Sequence, residues 1–161
     1  MSLLPGRYLI VVDGVRVKRA RAGNTYAELG LEVLRDLSPN AVGRGASGFH
    51  GEAIFSVRAR SFIADLAACG KACGVKIELP APPQAPAAMA QHAYEEVLRN
   101  ELRPLKGKVA VVTFGNARDY RSSFMPHTWT EPTPLDLFKD PSLPETLALL
   151  GRVYRVLKDE G

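Results

Sequence analysis

The stretch VRVKRARAGNTY sets a dense group of cationic side chains on a valine-spaced, strand-like segment that ends in a Gly-Asn turn. Its four cations and one aromatic ring are Arg16, Lys18, Arg19, Arg21 and Tyr26. Cationic side chains contact phosphates and aromatic rings stack on bases, and together they bind single-stranded nucleic acid without sequence preference. The segment therefore predicts a hairpin that contacts phosphates.

The alternation of side chains along a strand limits how many of these cations can act together. Arg16 and Lys18 share one face of a regular strand, whereas Arg19 and Arg21 share the other. The pattern leaves open which pair meets a ligand. A second interpretation also stays open, in which the charges protect an edge strand from pairing with other chains.

Further candidates for the same chemistry are spread along the chain. They are Arg44 and Phe49 in a glycine-rich loop, Arg58 and Arg60 on the third predicted strand, and the rings of Tyr120, Phe124 and Trp129. For each ring, burial in the core is the alternative to stacking on a base. The polar and proline-rich surroundings of Trp129 favour its exposure.

Carboxylates on the predicted strands offer a catalytic alternative. A two-metal nuclease holds its cations with such groups and clamps the attacking and leaving oxygens between them. The available set is Asp13, Glu28, Glu32, Glu52 and Asp65. Glu28 and Glu32 alternate with apolar residues, which is typical of a solvated strand face. We expect a protein that is not an enzyme and that uses no metal or cofactor.

The histidines and cysteines lack the spacing of a metal site. His50, His92 and His127 are scattered, with no zinc-ligand pattern around them. Cys69 and Cys73 lie four residues apart in a predicted helix, and we expect both to be buried free thiols.

The segment GRGASG, residues 43–48, fits the glycine pattern of a dinucleotide-binding loop. That function requires a strand before the glycines and a helix after them. Here Pro39 precedes the pattern and a strand-like segment follows it, so we expect a flexible loop.

The composition of the 161 residues is that of one globular domain, with 46% apolar and 24% charged residues. The net charge of +4 is uneven, because residues 131–161 hold four of the 21 basic and six of the 17 acidic groups. A basic body predicts a polyanionic partner. With no apolar run of spanning length and no signal-peptide pattern, we expect a cytoplasmic protein with no membrane partner.

Periodicity predicts a mainly β chain of five strands with helices between the third and fourth strands. The strands are expected at about 7–19, from 25, at 52–60, around 109–112 and at 120–129, and the helices at 61–74, 87–102 and 142–157. Gly14 predicts a bulge in the first strand. We assign residues 1–130 to one domain with a Pro/Ala-rich insertion at 79–88, and residues 131–161 to a C-terminal extension.

The predicted C-terminal helix opens with a capping box from Ser142 to Glu145. Its apolar residues form a narrow stripe suited to packing on the body or on a second copy, so a homo-oligomer is a further expectation. An interaction module, in which this helix binds a protein partner and the strands serve as scaffold, is therefore the non-catalytic alternative.

Three strands, helices and two further strands follow the order of an OB-fold, a five-stranded Greek-key barrel. Four segments strengthen that interpretation: LPGRYLIVV, VRVKRARAGNTYAELGLEVL, RSFIADLAACGKACGV and LKGKVAVVTFGNARDY. Over about residues 4–130 this pattern resembles phage-encoded OB-fold proteins that bind single-stranded DNA. The resemblance implies single-stranded DNA as partner, a role in phage DNA replication or recombination, and the host cytoplasm as location.

Overall fold

The computed structural model describes residues 5–38, 48–84, 87–114, 126 and 128–138. Five antiparallel strands form one sheet in the order β3-β2-β1-β4-β5. The strands are β1 Gly6–Arg19, β2 Thr25–Asp36, β3 His50–Ser56, β4 Val109–Phe114 and β5 Thr128–Thr130. The helices are α1 Phe62–Ala72, α2 Ala88–Leu102 and α3 Pro134–Phe138, with a 3-10 turn at Arg103–Leu105.

The mainly β class, the five strands and the two helices between β3 and β4 are confirmed. Strand β3 ends at Ser56, four residues earlier than predicted, because the chain turns there and the Ala59 amide donates to the Ser56 carbonyl at 3.0 Å. Helix α3 was not predicted. The predicted C-terminal helix at 142–157 and most of the predicted fifth strand lie outside the described residues.

Strand β1 is the centre of the sheet, and a bulge divides it into two halves. Its pairing with β2 shifts between Val12 and Gly14, so Asp13 is the extra residue, next to the glycine that predicted it. The bulge resets the alternation of side chains. Even-numbered residues such as Val12 face the core before it, and odd-numbered residues such as Val15 face the core after it. A second shift, at Leu34, places the extra residue in β2.

The sheet curls into a half-barrel. Phe55 on β3 and Trp129 on β5 come from opposite edges of the sheet, yet their ring centroids lie 6.3 Å apart. Edge strands four spacings apart in a flat sheet would be about 19 Å apart. The curl therefore brings the two edges together over the core.

The main core fills the concave side of the sheet. Inward residues of β1 to β4 pack there against one stripe of α1 and one of α2, including Leu66 and Leu98, which are fully buried. Cys69 and Cys73 lie in the same core as free thiols, as predicted. A loss of this packing would release both helices from the sheet.

The opposite, convex side is called here the outer face, and α3 covers one half of it. A small second core joins Leu9, Leu34 and Val111 to Leu137 of α3. The helix is fastened by Arg7, whose guanidinium donates two hydrogen bonds to the Asp136 carboxylate, at 2.8 and 3.0 Å. The hydrogen bonds from Arg7 hold the pKa of Asp136 below its usual range, although burial acts against them. The other half of the outer face carries polar side chains.

The curl makes a testable prediction about two neighbouring residues of β3. Phe55→Ala should lower the free energy of unfolding by about 3–5 kcal/mol, because it leaves a cavity where the sheet edges meet. Ile54→Ala, on the outer face and 41% exposed, is the matched control and should cost less than about 1 kcal/mol. Urea unfolding followed by circular dichroism measures both. Equal losses of stability in the two variants would contradict the placement of Phe55 in the core and Ile54 on the outer face.

Candidate nucleic-acid interface

The turn between β1 and β2 is a tight loop of residues 20–24. The amide of Ala20 donates to the Asn24 carbonyl, and the amide of Gly23 donates to the Ala20 carbonyl, each at 2.8 Å. Gly23 has a φ of 94°, a backbone conformation that glycine adopts without strain. The Gly-Asn sequence thus forms the predicted turn and holds Arg21 at its exposed tip.

A second turn, residues 57–61, follows β3 and lies beside the base of this hairpin. The amide of Val57 donates to the Thr25 carbonyl at 3.2 Å, which joins the start of this turn to the base of the hairpin. Arg58 and Arg60 are exposed in this turn rather than on the third strand, where they were predicted. The two turns together are called here the hairpin end.

Three exposed arginines lie in the two turns of the hairpin end: Arg21, Arg58 and Arg60. They are called here the basic rim. None of the three makes an ion pair with a residue that the structure describes. Asp65, the next acid along the chain, accepts a hydrogen bond from Ser61 Oγ at 2.7 Å. The rim therefore carries three positive charges that no acid among the described residues pairs with.

Arg19 has a different partner, on helix α2. Its guanidinium donates two hydrogen bonds of 2.8 Å to the two carboxylate oxygens of Glu95. The Thr25 hydroxyl donates a third to the same carboxylate at 2.7 Å. The hydrogen bonds from Arg19 are the main cause that lowers the pKa of Glu95 to about 2, against an opposing effect of burial. Arg19 therefore fastens the hairpin to α2.

Sequence reasoning missed Glu95 as a structural partner. The signal that could have found it is an acid within the apolar stripe of a helix, between the buried Tyr94 and Leu98. Because acids are rarely buried without a partner, the position of Glu95 in this stripe predicts a cationic partner from another element.

Arg16 and Lys18 share the outer face, as the alternation of a strand predicted. Lys18 Nζ lies 2.8 Å from Glu28 Oε2, and Arg16 stands opposite Glu28 in the ladder. The same face also carries Glu32 and Glu52, so acids outnumber lysine and arginine there. This half of the outer face is not a uniformly basic surface.

A histidine lies between two of these carboxylates. Nδ1 of His50 lies 2.9 Å from Asp13 Oδ2, and its Nε2 lies 3.5 Å from Glu52 Oε1. Burial raises the pKa of Asp13, although the charge and the hydrogen bond of His50 oppose that shift. Asp13 reaches across Gly30, so a Cβ added at that position would overlap Asp13 Oδ1.

The carboxylates of the nuclease alternative are not brought together as one group. Asp65 lies on α1, away from the four carboxylates carried by β1, β2 and β3. Within the described residues, no three histidine, cysteine or carboxylate side chains are placed to hold a metal ion.

The described aromatic candidates separate into two groups. Phe49 and Trp129 are half-buried against the main core, which for Trp129 differs from the expected exposure. Tyr26 is half-buried and stands opposite Lys18 in β1 and Ser56 in β3. Its ring is the aromatic candidate nearest to the hairpin end. Arg44, Tyr120, Phe124 and most of the GRGASG loop lie outside the described residues.

A cavity of about 650 Å³ opens beside the basic rim, and sequence reasoning did not predict it. It lies between the hairpin turn, Val57 and Arg58, the linker at 81–84 and the beginning of α2. Four segments that are distant in sequence form this cavity, so no periodic pattern in the sequence could predict it.

The chain matches no protein-family model, and no curated protein is significantly similar to it. In the part of the chain that the structure describes, no helix is both long and apolar enough to cross a membrane.

The Arg19–Glu95 pair predicts a specific dependence of stability on pH. Because the pKa of Glu95 is about 2 in the folded chain, below the usual 4.5, its stabilising effect is complete above about pH 4.5. That effect should be lost as the pH falls from about 4.5 to 2. Glu95→Gln should remove this part of the pH dependence and lower stability at pH 7, measured by urea unfolding at each pH.

Glu96→Gln is the matched control for that experiment, since Glu96 is exposed and pairs only with Arg99 on its own helix among the described residues. It should leave the pH dependence close to that of the unchanged chain. An equal effect of the two substitutions would contradict a special role for Glu95.

Proposed function

We propose that this protein binds single-stranded DNA without strong sequence preference and without catalysis, using the basic rim to contact phosphates. The observation that carries the proposal is the meeting of two turns that expose Arg21, Arg58 and Arg60 without acidic partners among the described residues. Clustered cations of this kind attract a polyanion and release its counterions on binding.

The strand connections support an OB-fold as the framework. Strand β1 pairs with both β2 and β4, the helices come between β3 and β4, and β5 lies beside β4. In an OB-fold the loop between the first two strands is one of the segments that contact oligonucleotides. We propose the same role for residues 20–24, which carry Arg21.

The charge distribution favours the hairpin end over the flat outer face. On the outer face Lys18 is paired with Glu28, and phosphates there would approach further carboxylates. At the hairpin end no acid that the structure describes pairs with the three guanidinium groups, and the nearby Asp65 is hydrogen-bonded to Ser61. Tyr26 lies at the base of the hairpin, opposite Lys18 at the end of the outer face, and is the ring proposed to stack on a base.

The preference for DNA, and a role in phage replication or recombination, come from the family resemblance and are part of the same proposal. A protein that coats single strands needs contacts to phosphates and base faces, which every sequence offers. The basic rim and Tyr26 would supply both kinds of contact.

A triple variant of the rim tests the proposal. Changing Arg21, Arg58 and Arg60 to alanine should weaken binding to mixed-sequence oligonucleotides, equally for all sequences. It should also reduce the slope of log affinity against log salt by about two, at roughly 0.7 per lost phosphate contact. Fluorescence titration at several salt concentrations measures both quantities.

The matched control changes Lys71, Arg103 and Lys108 to alanine, which removes the same charge from three other exposed positions. Arg103 follows the last turn of α2, about 18 Å from Gln91 at its beginning, as estimated from the rise of a helix. This control should bind nearly as well as the unchanged chain. Equal losses in both triple variants, or tighter binding to duplex than to single strands, would refute the proposal.

A further inference from the structure

We infer that the cavity beside the basic rim holds one unstacked base of the bound strand. This inference depends on the proposed function. It gives a role in binding to the cavity, which phosphate contacts at the basic rim do not need. The cavity volume, about 650 Å³, is within the range of roughly 300–1,000 Å³ typical of small-molecule sites. It is therefore large enough for a base and its sugar.

The lining of the cavity combines apolar and polar residues. Its apolar residues include Ala22 and Val57 on the side of the hairpin end, and Pro82 and Pro83 on the side of the linker. Flipped bases are held between apolar or aromatic side chains, while hydrogen bonds reach their edges. The cavity offers both kinds of lining.

Both walls are fixed to helix α2. Gln91 Nε2 donates to the Gly23 carbonyl at 2.6 Å and to Thr25 Oγ1 at 3.1 Å, which holds the hairpin turn. The hydroxyl of Tyr94 donates to the Pro80 carbonyl at 2.9 Å, which holds the linker. The cavity is thus preformed, and a preformed site binds without the cost of ordering its walls.

The lining of the cavity also includes the amide side chains of Asn24 and Gln84. An amide side chain carries both hydrogen-bond donors and an acceptor. The edges of nucleobases carry both kinds of group, so these residues suit several bases rather than one.

The position of Arg58 favours a nucleotide over a proline-rich peptide. Arg58 both lines the cavity and belongs to the basic rim, so a base inside the cavity would have its own phosphate beside a guanidinium group. A peptide would satisfy the apolar walls but would bring no anion to that position. The cavity and the rim therefore form one site for a base with its phosphate.

Filling the cavity tests this inference. Ala81 is exposed and lines the cavity, so Ala81→Trp should block the space without disturbing the core. A stacked base is worth about 1–3 kcal/mol, so affinity for a mixed-sequence oligonucleotide should fall roughly 5- to 140-fold. The salt slope should fall by no more than about 0.7, the equivalent of one phosphate contact at Arg58, since Arg21 and Arg60 are unaffected. Gln84→Trp is a second filling variant with the same expectation.

Ala67→Trp places the same side chain on the exposed side of α1, outside the cavity lining, and should bind like the unchanged chain. If the unchanged chain binds single strands and both filling variants bind equally well, the cavity inference fails while the proposed function stands. If the unchanged chain binds no single strands, both fail. Competition by a proline-rich peptide, abolished by Ala81→Trp, would assign the cavity to a peptide and overturn the inference.

Discussion

The arrangement of the sheet depends on one extra residue in its central strand. Without the bulge at Asp13, the alternation that places Val12 inside would continue and turn Arg16 and Lys18 toward the core. Burying two unpaired cations would cost far more than the strand gains by pairing. With the bulge, Val15 and Val17 pack against the core instead, and the cations reach water. The bulge thus allows the whole length of β1 to present apolar residues to the core.

Helix α2 connects the core to the hairpin end. Its buried Leu98 and Leu102 anchor it to the sheet, while Glu95, Gln91 and Tyr94 hold the hairpin and the linker. The contacts that build the candidate site are therefore the same ones that position the helix. The position of the basic rim therefore depends on how α2 packs against the sheet. A substitution that disturbs this packing would also displace the rim.

Local patterns predicted much of the fold, and long-range contacts account for what they missed. Valine spacing and glycine chemistry located the first hairpin, its turn and the bulge beside Gly14, because each depends on neighbours in sequence. The end of β3 and the pairing of Arg19 with Glu95 depend on residues far along the chain. Likewise, the cationic residue types were visible in the sequence, but the placement of the turn with Arg58 and Arg60 beside the hairpin that carries Arg21 depends on strand pairing. The cavity is formed by four separate segments, and no pattern within any one of them predicts it.

The crowding of Asp13 over Gly30 links two positions that are distant in sequence but adjacent across the sheet. The carboxylate occupies the space that any side chain at position 30 would need. A side chain at position 30 would therefore push the Asp13 carboxylate aside and away from His50, whose Nδ1 now lies 2.9 Å from it. Glycine at position 30 thus lets the extra residue of the bulge fold back over the neighbouring strand and meet a side chain of the strand beyond it.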